Sequence, residues 1–263
     1  MSKGLAKDEI VRAALATLDA EGLDGLTLRK VAGRLDVQAP ALYWHVRDKQ
    51  ELLDEMGTEI WRRIGLRIEE RPVDEPWHEA MAAYARISRE ELLAHRDGVK
   101  MATGTTLTDV EVVRRNEPRL AAMTRQGFTV RSATQALVLL NHFVIGFCLE
   151  EQAVVQAKAA GDSRYDLRAR DTWVDSEAYP LTAESGREIF EDDDRRFAQL
   201  VELILGACRG LRTESGGVQE PGEVREVRED SEVGEGGEVA EPREGIASAA
   251  GEAGGDSPSA RPE

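Results

Sequence analysis

The stretch from Leu26 to Lys49, LTLRKVAGRLDVQAPALYWHVRDK, constrains this chain more tightly than any other. Leu28, Val31, Ala32 and Leu35 recur at helical spacing and give one short helix a single buried face, with Thr27 before it as an N-cap. The pattern breaks at Leu35-Asp36-Val37. A second short helix is predicted from about Gln38 to His45, with Pro40 in its first turn, where a missing N–H costs little. Two short helices across a tight turn make a helix-turn-helix. In that motif the second helix enters the DNA major groove by its N-terminal residues while the first crosses the backbone.

Charge qualifies this reading. The formal net charge of -16 argues against indiscriminate binding to polyanions. The excess is uneven: residues 213–263 carry a net of -10, and 1–212 only -6. Between Thr27 and Gln50 the sign reverses, because Arg29, Lys30, Arg34, Arg47 and Lys49 face only Asp36 and Asp48. A locally basic head on an acidic body can bind a duplex, since counterion release follows the charges at the contact.

The rest of the pattern predicts an all-α chain. Ile10, Val11, Ala14, Leu15 and Leu18 form an amphipathic helix over 8–20 that ends near Gly22. Asp48 and Glu51 open a long helix carrying Leu52, Met56, Ile60, Ile64 and Ile68, which joins the head to the body. Helices follow after Pro76, from Asp109 with a kink or restart at Pro118, over 131–157, over 182–190 and over 193–212. The 131–157 helix is apolar on more than one face and should be buried against several neighbours. Residues 158–178 read as polar and irregular, with Trp173 folding back on the body. Beyond Arg212 no Leu, Phe, Trp, Tyr, Met or Cys occurs and glycine and glutamate dominate, so this segment is read as a disordered acidic tail. Either it solubilises the protein or its charge competes with DNA for the basic head. The organisation is a DNA-binding head, 1–50, a ligand-binding and dimerisation region, 51–212, and the tail, 213–263.

Cys148 and Cys208 lack metal or redox spacing and are read as buried thiols. No signal-peptide pattern occurs and no run approaches a membrane span, so a cytoplasmic protein without membrane partners is expected. His95, Asp97, His142 and Glu150 are acid and base candidates, but no nucleophile motif, phosphate loop or metal spacing accompanies them, so no enzyme and no catalytic residue is expected.

The run LTLRKVAGRLDVQAPALYWHVRDKQELLD resembles the DNA-binding head of the tetracycline repressor (TetR) family, most specifically in ALYWHVRDKQELL. AHRDGVKMATGT, RQGF, NHFVIGFCLEEQ and LVELILGACRGL extend the likeness through the body, toward the branch that contains the tetracycline repressor itself. The resemblance implies a ligand-responsive repressor: a homodimer, paired through the helices at 131–157 and 193–212, reading a pseudo-palindromic double-stranded operator and released by a small-molecule effector. By analogy it controls an exporter or biosynthetic gene. A ligand-independent helix-turn-helix protein is the alternative.

Carried over by position, Thr27, Arg29, Gln38, Ala39, Ala41, Tyr43, His45 and Lys49 form the expected DNA-contacting set. Trp44 is assigned to core packing, and His45 fits either role. Ala39 and Ala41 replace polar base-reading residues, so the operator should differ, and Asp36 stands where the turn usually has glycine. The expected ligand set is Tyr84, Ser88, Ala102, Thr105, Thr106, His142 and Glu150; His142 and Glu150 match polar pocket residues and lie two turns apart on one helix. Ala102 replaces the histidine that holds drug-chelated magnesium in the relative, and Thr106 replaces an arginine. Alanine offers a hard cation no ligand, so a larger or more apolar polycyclic effector is expected, with no protein-held metal and no cofactor.

Overall fold

The computed structural model describes residues 5–163, 166–172, 174–190 and 192–212. The expected tail and Trp173 lie outside these residues. Among the described residues the chain is helical and has no strand, as its periodicity predicts.

The head is built by local chemistry. Helix α1, Lys7–Gly25, begins where the Glu9 carboxylate accepts from the Ala6 N–H at 3.1 Å. It breaks at Gly22, whose φ of 73° is open to glycine at little cost. Helix α2, Leu28–Arg34, starts at Thr27, whose hydroxyl accepts the Lys30 N–H at 3.3 Å. Asp36 then takes the left-handed conformation, φ 54°, that the tight turn requires, and Asp tolerates this better than most residues. Helix α3 is a single turn, Ala39–Leu42, shorter than the pattern predicts, because turns replace helix by Tyr43.

Helix α4, Lys49–Glu69, crosses residue 51 without a break, so head and core share one continuous rod. Asp48 caps it by accepting the Glu51 N–H at 2.9 Å, while the Glu51 carboxylate reaches back to the Arg47 N–H at 2.6 Å, one residue beyond the expected capping box. Ile10, Ala14, Leu18, Leu26, Val31, Leu42, Val46, Leu52 and Met56 are buried in a cluster continuous with the core of the body. A three-helix head has too little core to be secure by itself, and this continuity supplies the remainder.

The body comprises α5, Trp77–Leu93; α6, Gly98–Thr103; α7, Val110–Arg114; α8, Glu117–Arg125; α9, Val130–Ala159; α10, Leu167–Asp171; α11, Pro180–Phe190; and α12, Asp193–Cys208, which runs into a 3-10 turn, Arg209–Leu211. Pro118 sits in the first turn of α8 and produces a restart rather than a kink. Helix α10 was not foreseen; Asp166 caps it through the Arg168 N–H at 2.8 Å.

Helix α9 packs on α5, α6, α8 and α12, the several neighbours its apolar faces demand. By length and composition it is apolar enough to cross a membrane, which corrects the expectation that no run is; its Ala136, Leu140, Val144, Phe147 and Cys148 are buried within the protein. Arg89 of α5 joins three helices by holding Glu151 of α9 at 2.7 Å and Asp194 of α12 at 2.7 Å, over the Phe197 ring. Both cysteines are free and buried, and burial pushes the Cys148 thiol up to about 12, which suits an inert core thiol.

Candidate DNA-binding head and ligand cavity

Leu42 and Val46 anchor α3 and the following turn from below and are fully buried. That anchoring turns Tyr43 outward, 55% exposed, and Trp44 further, 89% exposed. The assignment of Trp44 to the core is therefore corrected: in so short a helix, two buried anchors leave the residue between them no inward direction. Gln38 is exposed, while Ala39, Ala41 and His45 are half-buried.

The cations of this face differ in what already holds them. Lys30 is paired with Glu21 at 2.8 Å, Arg47 with Glu51 at 2.9 Å, and the Lys49 ammonium donates to the Leu23 carbonyl at 3.0 Å. Arg29 and Arg34 are exposed and make no ion pair with the described residues, so they present open charge. Thr27 is exposed with its hydroxyl engaged as a cap. Together these residues make a basic, aromatic-edged face beside a helix N-terminus, suited to phosphate and groove contacts.

In the body, two adjoining cavities of about 230 and 240 Å³ share Tyr84, Arg115 and Arg119. Ile68, Trp77, Met81, Met123 and Leu137 line the first, and Trp61, Gly65, Leu107, Val113 and Asn141 the second. The Tyr84 hydroxyl donates to the Asn141 Oδ1 at 2.8 Å, and burial pushes its phenol above the ordinary value. The Arg119 guanidinium lies 5.7 Å from the Tyr84 ring centroid, and burial lowers its pKa. One turn beyond Tyr84, Ser88 is wholly buried, and its hydroxyl works against the burial that raises the Tyr84 phenol.

Of the expected ligand set, only Tyr84 lines these cavities. Ala102 is buried in the core of α6 and offers no donor atom to a cation, so the residues do not fit a magnesium-holding site there. Thr105 donates its hydroxyl to the Ala102 carbonyl at 2.8 Å, and Thr106 is exposed. His142 and Glu150 are not brought together with Tyr84: both are exposed on α9, on the stripe that carries Val138, Leu139 and Gly146, while the neighbouring Asn141 turns to the cavity. Sequence reasoning missed Arg119, although an arginine sharing a helical face with Ala122 and Met123 was a visible irregularity.

Cavity and head are joined along α4. The loop after α6 descends this helix: Gln50 donates to the Gly104 carbonyl at 3.2 Å, the Thr106 N–H to Asp54 at 3.0 Å, and the Thr108 N–H to Thr58 at 2.9 Å. Arg62 closes the series on Asp109 at 3.1 Å. Gly57 is required here, since a Cβ would overlap the Thr105 side chain. The loop then supplies Leu107 to the cavity wall.

A second tie fixes α1 to the body. The Leu23 N–H donates to Asp97 at 3.0 Å, and Gln156 of α9 donates to the other carboxylate oxygen at 3.1 Å. Burial works to raise the Asp97 carboxyl, but these donors and the nearby charges of Lys100 and Arg96 hold it below its ordinary value.

Two family descriptions match the chain: "Bacterial regulatory proteins, tetR family" over residues 10–56 and "Tetracyclin repressor-like, C-terminal domain" over residues 71–213. The chain is 38% identical to the class A tetracycline repressor protein of Escherichia coli transposon 1721, covering 82% of this chain and 96% of the relative. A possible TetR family regulator from Streptomyces coelicolor superposes with a TM-score of 0.69 at 31% identity, covering 79% of this chain and all of the other. The ActR protein of Streptomyces coelicolor, solved in complex with actinorhodin, gives a TM-score of 0.67 at 28% identity, over 82% of this chain and 100% of that one.

Proposed function

The chain belongs to the tetracycline repressor family of transcriptional regulators, and from that premise we propose that it is a homodimeric repressor released from its operator by a polycyclic effector bound at the Tyr84–Arg119 cavity. The observation that carries the reading is the bonded loop 104–109, which touches the cavity at Leu107 and α4 at Gln50, Asp54, Thr58 and Arg62 on successive turns. An occupant that pushes on this loop moves α4, and α4 carries the head. Release requires only that the ligand bind the DNA-incompetent arrangement better than the competent one.

The dimer is supported by faces that none of the described residues covers. Helix α12 exposes Leu203 at 69%, and α9 exposes Val138 and Leu139. Among the described residues nothing meets a Cβ built at Gly146 or Gly206, so packing there demands neither, while both let another helix approach closely. In that arrangement His142 and Glu150 lie at or near the partner, and a ligand role for them depends on it. At the head, Arg29, Gln38, Ala39, Ala41, Tyr43, His45 and Lys49 read each half-site, with Thr27 beside them and Trp44 added from its exposure.

The effector binds without a metal held by this chain, because Ala102 supplies no ligand atom. Its polycyclic character is supported by the aromatic lining and by the tetracycline and actinorhodin named for the relatives. The test is fluorescence anisotropy of the full chain on the DNA flanking its own gene, titrated with tetracycline, with and without magnesium, and with actinorhodin. Release by a polycycle irrespective of magnesium supports the reading. Release only by tetracycline with magnesium refutes the metal-free part, and operator binding unaffected by any ligand that fills the cavity refutes the regulatory part.

A further inference from the structure

The two cavities hold three guanidiniums and two carboxylates. Arg71 holds Glu75 at 3.0 Å, and Arg115 holds Glu69. These pairs account for both acids in the walls, and Arg119 is left with no carboxylate within ion-pair distance among the described residues. Tyr84 does not neutralise it, since the buried phenol keeps its proton and spends it on Asn141. Arg115 adds a buried Nε–H that no acceptor in the described chain meets. Residues 1–212 carry a net negative charge, yet Arg119 has only the longer-range attraction of Glu69, which Arg115 already holds, so this apolar, aromatic wall carries more positive than negative charge.

A half-buried cation in an apolar wall gains from a partner, and the missing partner is an anion that fits between flat apolar surfaces. We propose that the effector is an aromatic polycycle bearing a carboxylate, and that Arg119 binds that carboxylate. This rests on the reading of the Tyr84–Arg119 cavity as the effector site. The guanidinium fork suits a carboxylate in two-point contact. The Tyr84 ring holds Arg119 from one face and leaves its edge to the ligand.

The test uses the full chain and two probes of one shape, an anthraquinone carboxylic acid and its carboxamide, titrated calorimetrically at neutral pH. The acid is expected to bind about ten- to a hundredfold more tightly than the amide, the range set by hydrogen bonds to charged groups. In Arg119→Gln this preference should vanish, because the acid loses far more affinity than the amide. Arg119→Lys should retain part of it. Equal binding of acid and amide by the unaltered protein overturns the carboxylate proposal alone, as does a preference that survives in Arg119→Gln. Binding of neither probe overturns the effector-site reading and the proposal with it.

Discussion

The head and the ligand cavity differ in how their geometry is specified. In the head, each bend is set by a residue within a few positions of it: Thr27 caps α2, Asp36 turns the chain, Asp48 opens α4, and Leu42 and Val46 fix which residues of α3 face outward. The cavity is assembled from α4, α5, α7, α8, α9 and the intervening loops, so no short stretch contains it. A contact surface made locally survives large changes elsewhere, whereas a cavity changes its chemistry through single residues such as Ala102 and Arg119.

The comparison breaks most readily at the dimer. Leu203→Asp places a charge in the uncovered face of α12 and should convert the protein to monomers, with operator affinity falling by about a hundredfold or more as two-headed binding is lost. Sedimentation and anisotropy read both effects, and an unchanged dimer would remove the proposed interface.

Within the head, Arg29→Ala should weaken operator binding by roughly tenfold or more while leaving the melting temperature nearly unchanged, because this side chain holds no ion pair among the described residues. The dependence of affinity on salt should flatten by about one phosphate contact if Arg29 meets the backbone. By contrast, Lys30→Ala breaks an existing pair with Glu21 and should do less.

Gly57→Val tests the link between the regions. The new side chain overlaps Thr105, and such overpacking costs about 1–3 kcal/mol, so thermal stability should fall. Effector-induced release should fall further than stability does, and Thr105→Gly introduced alongside should restore both. Retained ligand response with a displaced loop would show that the signal travels elsewhere.

The smallest change is Tyr84→Phe. It removes the bond to Asn141, about 0.5–1.5 kcal/mol, and should lower stability slightly without altering operator binding by the ligand-free protein.

The same contrast governs what could be read from the chain. The helices other than α10, the turn at Asp36, the N-cap at Thr27 and the cap at Asp48 were legible because each depends on neighbours in sequence. Trp44 was not, because its direction depends on how short α3 is and on what Leu42 and Val46 bury. His142 and Glu150 matched by position but are exposed on α9, since resemblance transfers places along a helix and not the cover a second protomer provides. Arg119 carries little signal of its own in the sequence; its significance depends on the carboxylates that Arg71 and Arg115 hold from elsewhere.

The central claim is a reciprocal coupling between cavity and head through α4. The direct measurement is calorimetric binding of the anthraquinone carboxylate to the full protein, first free and then saturated with operator DNA. The expected result is weaker binding to the DNA-bound protein, by the same factor by which the carboxylate weakens operator binding. Equal affinity in the two states would contradict the account.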